Sequence, residues 1–216
     1  MDRVSPPTVG IVLSGGASQR WQGAPKALLR IGGTPALRII LARLRAAGVR
    51  RLVVVVGPDG GAIRAGSTGP GTVAGVSWRT NPDRASGAAG SLRAGLIGIP
   101  PEARIVLWPV DHPLVAPGTL PRLLAAAAAD AGAAWVQPEY RGRGGHPVVL
   151  SPAAWGRAAG LPSGASLRSL RDSLGAAVRR VAVEDPGVTV NLNTPEVFRE
   201  AVEGTRRHPS GGRDDG

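Results

Sequence analysis

Cysteine is absent from the chain, which excludes disulfide cross-links, thiol catalysis and cysteine-ligated zinc or iron–sulfur centres. Histidine is nearly as scarce. His112, His146 and His208 stand apart, and no H-E-x-x-H pair marks a zinc site, so only an oxygen-ligated metal is expected. No apolar run reaches the roughly 18 residues that a membrane span needs. The apolar segment after residue 7 is too short for the core of a signal peptide, so the expected location is cytoplasmic, with no membrane partner. Aromatic residues are only 3% of the chain, most of them the five Trp, so a stacking platform for single-stranded nucleic acid is missing. The net charge of +11 invites a nucleic-acid reading. Its arginines are nevertheless scattered, without a run of five, and nucleic acid is not an expected partner. Small anionic ligands would benefit from the same positive field.

What remains is a chain of 216 residues, 43% hydrophobic and 19% charged, which suits one α/β domain over residues 1–203. Residues 204–216 lack apolar periodicity and are expected to form a disordered tail. Lys26 is the only lysine among 26 basic residues, and asparagine occurs only at Asn81, Asn191 and Asn193. The skew is that of a GC-rich coding sequence. Under such a bias, a surviving lysine or asparagine points to a place where its chemistry is hard to replace.

Short β-rich runs alternate with helical patterns, the signature of βαβ units and a mainly parallel sheet. Strands are predicted over residues 9–13, 51–56, 76–80, 104–110, 133–138, 146–150 and 178–183. Leu37, Ile40, Leu41 and Leu44 fall at i, i+3, i+4 and i+7, predicting an amphipathic helix over residues 35–47. Further helices are predicted over residues 91–99, 117–130, 152–159, 166–174 and 196–203, the last with Thr194 as its cap. Residues 57–75 read as a loop with at most one short helix.

Ligands of open α/β sheets bind beyond the carboxyl ends of the strands, which directs attention to two loops. The first runs from Leu13 through Ser14, Gly15 and Gly16 to Arg20 and Lys26. Its glycines allow backbone N–H groups to face an anion or a base edge, and its two cations bring positive charge. It is neither a Walker A loop nor a dinucleotide fingerprint; alone it fits a tight turn with exposed charges equally well. The second loop carries Asp111 after the apolar strand 104–110. A carboxylate there suits Mg²⁺, which takes one or two protein carboxylates and completes its shell with phosphates and water. It would also suit a turn cap. Asn191 and Asn193 share one face if extended, and either could lend an amide oxygen or start a helix. His112 reads as a polar neighbour rather than a base.

Together, LSGGASQRWQGAPKALL, NPDRASGAAGSLRAGL, WPVDHPLV, GRGGHPVVL and NLNTPEVF resemble the MobA-like nucleotidyltransferases of molybdenum cofactor biosynthesis, in the family's order from residue 9 to 198. The resemblance implies a Rossmann-like three-layer α/β/α fold and a Mg²⁺-dependent transfer of a nucleoside monophosphate from an NTP to molybdopterin, with release of pyrophosphate. It places Leu13, Ser14, Gly15, Gly16, Arg20 and Lys26 on base and triphosphate, and Mg²⁺ on Asp111 and Asn193. It sets Asn81, Gly87 and Ser91 on the nucleotide and ribose side, and Gly145, His146 and Pro147 where the acceptor enters. Arg20, Lys26 and Asp111 are the implied catalytic residues. Ser14-Gly15-Gly16, Asn193 and the Arg20 to Lys26 spacing look like the guanylyl branch. Gly87, the stretch 91–96 and Gly145-His146-Pro147 look like the cytidylyl branch, which the whole-chain pattern favours. GTP, or a different phosphorylated acceptor such as a sugar phosphate, stays open as an alternative.

Overall fold

A computed structural model describes residues 6–15, 25–67, 72–162 and 164–200. Its sheet holds β1 (Thr8–Ser14), β4 (Arg51–Val56), β5 (Val76–Thr80), β6 (Arg104–Pro109), β7 (Trp135–Tyr140), β8 (Arg143–Gly144), β9 (Val148–Leu150) and β10 (Val178–Ala182). The strands lie in the order β10-β7-β9-β6-β1-β4-β5, with β8 on β7. β1 pairs in parallel with both β4 and β6, while β9 runs antiparallel between β6 and β7. The strand order therefore reverses at β1, the switch point at which such sheets open a crevice beyond their carboxyl ends.

Side chains of each buried strand point alternately to two apolar layers. Leu52, Val54 and Val56 of β4 join Val12, Leu37, Ile40, Leu41 and Leu44 on the face covered by α1 (Ala36–Ala46) and α4 (Thr119–Ala129). Val53 and Val55 join Ile11, Leu92, Ala154, Ala158 and Leu170 on the opposite face. That face is covered by α3 (Gly87–Leu96), α5 (Pro152–Ala159) and α6 (Leu167–Ser173). This is the expected three-layer arrangement. A short helix, α2 (Gly61–Gly66), lies within the loop 57–75. No helix among the described residues is long and apolar enough to cross a membrane.

Besides shifts of two or three residues at element ends, as in β7, β9 and the end of α3, the structure differs from the sequence reading in three places. α3 begins at Gly87, four residues earlier than predicted, because Asp83 accepts a hydrogen bond from the Ala85 amide and so nucleates the turn Arg84–Ser86 that leads into it. A small hairpin of β2 (Arg30–Ile31) and β3 (Thr34–Pro35) precedes α1, turning at Gly32-Gly33 with φ of 55° and 81°. The predicted loop between β7 and β9 also contains a hairpin, turning at Arg141-Gly142. Helix occupies residues 195–200, and the Thr194 hydroxyl accepts from the Val197 amide at 3.4 Å, as its capping role requires. The expected tail over 204–216, like Gly16 and Arg20, lies outside the described residues.

Candidate active site

Beyond the carboxyl ends of β1 and β6, side chains far apart in the chain converge. Lys26 opens a single 3₁₀ turn, Lys26–Leu28, ahead of the β2–β3 hairpin. Its Nζ donates to Asn193 Oδ1 at 2.5 Å, across 167 residues of sequence, and lies 3.9 Å from Asp111 Oδ2. An ammonium thus sits between an amide oxygen and a carboxylate.

The backbone around Asp111 explains how the carboxylate is held. Trp108, fully buried on β6, donates its indole N–H to the His112 carbonyl at 2.9 Å and folds the loop back onto the strand. The Leu192 amide donates to the Asp111 carbonyl at 2.8 Å, laying residues 190–193 beside the loop. Leu192 itself is buried with Ile31 and Ala36, which anchors that segment to the hairpin. Both asparagines then reach the site: Asn193 meets Lys26, and Asn191 Nδ2 lies 3.3 Å from His112 Nε2.

His112 and His146 pack against each other with ring centroids 4.7 Å apart. Burial pushes the His112 imidazole down to about 4, helped by the Lys26 ammonium. Burial, with His112 adding to it, pushes His146 down to about 3 against the pull of Asp111. Both rings are therefore neutral at pH 7. Buried Asp111 Oδ1, Asn191 Oδ1 and the Nδ1 atoms of both histidines have no hydrogen-bond partner. Such orphaned groups are costly unless a ligand satisfies them.

A cavity of about 360 Å³ opens alongside, lined by Leu13, Gly15, Gly87, Ser91 and His146 from the sequence-predicted set. Arg84, Ala88, Leu107, Pro109, Trp135 and Leu167 complete the lining and were not singled out in the sequence. Two predicted residues stand behind it. Ser14 is buried, and Asn81 is a strut: its Nδ2 lies 3.1 Å from both Ser86 Oγ and Ser91 Oγ, while its Oδ1 accepts from the Asp83 amide at 3.2 Å. A Cβ added at Gly15 would lie 3.1 Å from Ser91 Oγ, so Ser91 occupies the space this glycine leaves.

No group of three or more His, Asp or Glu side chains is gathered for a metal among the described residues. One carboxylate with an unsatisfied oxygen, flanked by an amide oxygen, instead fits a divalent ion that brings its remaining ligands on a phosphate substrate.

Residues 10–180 match the model of the MobA-like NTP transferase domain. Rv0371c from Mycobacterium tuberculosis H37Rv is 31% identical, with 93% of this chain and 100% of that chain covered at a TM-score of 0.78. The same protein has been crystallised in complex with manganese; that structure is 30% identical, with 91% of this chain and 98% of that chain covered at a TM-score of 0.75. The nucleotidyl transferase Mth528 of Methanothermobacter shares the fold at 21% identity, with 93% of this chain and 98% of that chain covered and a TM-score of 0.76. No curated protein matches the chain.

Proposed function

We propose that this chain, which belongs to the MobA-like NTP transferase family and is a nucleotidyltransferase, is a Mg²⁺-dependent cytidylyltransferase that moves CMP from CTP onto the phosphate of molybdopterin. The observation that carries the reading is the meeting of Lys26, Asp111 and Asn193 at the switch point of the sheet. An acceptor phosphate oxygen attacks the α-phosphorus, the bond from that phosphorus to the bridging oxygen of the β-phosphate breaks, and pyrophosphate leaves. Such transfers depend on positioning and electrostatics more than on covalent help.

Asp111 and Asn193 would hold Mg²⁺ through the carboxylate and the amide oxygen. When bound, the ion supplies neutralisation of charge on the α-phosphate and the attacking phosphate. Lys26 would exchange its present oxygen partners for the triphosphate and stabilise the departing pyrophosphate, with Arg20 acting from the preceding loop. Leu13, Gly15, Gly87 and Ser91 would enclose the base and ribose, with Ser14 and Asn81 bracing these walls from behind; Gly16 would contact the nucleotide with them. His146, neutral and with a free ring nitrogen, would hydrogen-bond the acceptor without adding charge.

The choice of CTP over GTP is supported by Ser91. A missing Cβ at Gly15 suggests room for a purine, but the serine hydroxyl already fills it. Incubation of the full chain with CTP, Mg²⁺ and molybdopterin should release pyrophosphate and yield the CMP conjugate. Turnover with a sugar phosphate and none with molybdopterin would overturn the acceptor.

A further inference from the structure

Arg84 lies in the short turn Arg84–Ser86 and lines the cavity, where it is the one charged side chain among the described lining residues. Its Nη2 is paired with the carboxylate of Asp59, from the loop after β4. The guanidinium lies close to that loop's start, since a Cβ on Gly57 would be 3.4 Å from Arg84 Nε. Asp59 offsets part of the charge through this one contact between exposed side chains. A guanidinium already paired with a carboxylate gains less from a triphosphate than an unpaired one would. It is well suited to an uncharged ring that presents adjacent acceptor atoms. The rest of the lining agrees, because Leu13, Leu107, Pro109, Trp135 and Leu167 offer an apolar slot for a flat ring.

We propose that Arg84, paired with Asp59, is the residue that reads the base of the bound nucleotide, accepting cytosine or guanine and rejecting uracil and adenine. This rests on the reading that the cavity receives the base of an NTP. Cytosine offers O2 and N3 side by side as acceptors, whereas uracil places an N–H donor at N3, opposite the guanidinium donors. Guanine offers O6 and N7 as acceptors, whereas adenine pairs N7 with an amino donor. An arginine fork therefore separates the bases by donor pattern, and a lysine ammonium, with no planar fork, does so poorly.

The test is the affinity of the full chain, with Mn²⁺ present, for CTP, UTP, GTP and ATP, measured by tryptophan fluorescence in the wild type, Arg84→Ala and Arg84→Lys. The wild type should bind CTP at least about tenfold more tightly than UTP, and GTP more tightly than ATP, in line with one bidentate contact. Both variants should keep the wild-type melting temperature and bind the members of each pair within about threefold of each other. Equal weakening of all four nucleotides in Arg84→Ala would make Arg84 a phosphate contact and overturn the proposal. Discrimination that survives in either variant would overturn it too, leaving the nucleotidyltransferase reading intact. A wild type that binds none of the four would overturn both.

Discussion

Lys26 is held between Asn193 and Asp111; on the proposed reading a divalent ion would replace these contacts, and the same two oxygens would serve an ammonium before substrate arrives and a metal after. This predicts a division of labour in substitutions. Lys26→Ala removes a cation from the reacting phosphates and should lower kcat/KM for pyrophosphate release by roughly two to three orders of magnitude. The melting temperature should barely move, because the side chain is partly exposed and its loss leaves Asn193 open to water. Near-normal turnover would take Lys26 out of the site. Both Lys26 and Asn193 were legible in the sequence, as rare residue types in a composition that otherwise avoids them. Arg84 and Trp135 were not. One is a common arginine among 25 and the other an ordinary strand tryptophan, and only the fold brings both to the lining of one cavity.

The turn Pro186–Thr189 positions the site without contributing a side chain to it. Asp185, which starts the turn, is buried and accepts from the Ala116 amide at 2.7 Å, Thr119 Oγ1 at 2.6 Å and the Gly187 amide at 2.9 Å. It thereby ties the loop after Asp111 to the segment that ends in Asn193. A Cβ on Gly187 would lie 2.2 Å from the Leu114 carbonyl oxygen, and His146 N donates to the Val188 carbonyl at 2.9 Å. The turn is thus wedged between the Asp111 loop and the His146 loop. Gly187→Ala must push the two backbones apart and should cost roughly 1–3 kcal/mol. For a chain of this length, each kcal/mol lowers the melting temperature by about 2–4 °C. Because Asp111 moves with its loop, the Mg²⁺ concentration for half-maximal activity should rise as well. A stability loss with unchanged Mg²⁺ dependence would mean that the wedge supports the fold alone. Nothing in the local pattern Asp-Pro-Gly distinguishes this turn from any other, whereas the long strands and α1 could be read directly because their apolar periods are complete. The hairpin before α1 was missed because two-residue strands have no period, although Gly32-Gly33 was a turn signal that could have found it.

Over the entire molecule, ligand binding is expected to be a source of stability. Unsatisfied buried groups at Asp111, His112, His146 and Asn191 leave the free protein with uncompensated polar atoms that a ligand can partner. CTP with Mg²⁺ at a hundredfold its dissociation constant should stabilise the fold by about 2.7 kcal/mol. That corresponds to a rise in melting temperature of about 5–10 °C, observed by differential scanning fluorimetry. A larger rise with GTP would reverse the choice of base and leave the reaction class standing. The mainly parallel sheet followed from alternating βα patterns in the sequence, whereas the order β5-β4-β1-β6 that opens the crevice was visible only in the structure. The reversed strand β9, with three paired residues, did not announce its direction.

The central claim is that the metal and the reacting phosphates meet at Asp111. A crystal of the full chain grown with a non-hydrolysable CTP analogue and Mn²⁺ addresses it directly, because anomalous scattering locates the metal independently of the protein. The account predicts an anomalous peak at inner-sphere distance, about 2.1 Å, from an Asp111 carboxylate oxygen and an α-phosphate oxygen, adjacent to Asn193 and with Lys26 turned to the phosphates. A nucleotide bound at the switch point with its metal away from Asp111 would contradict it.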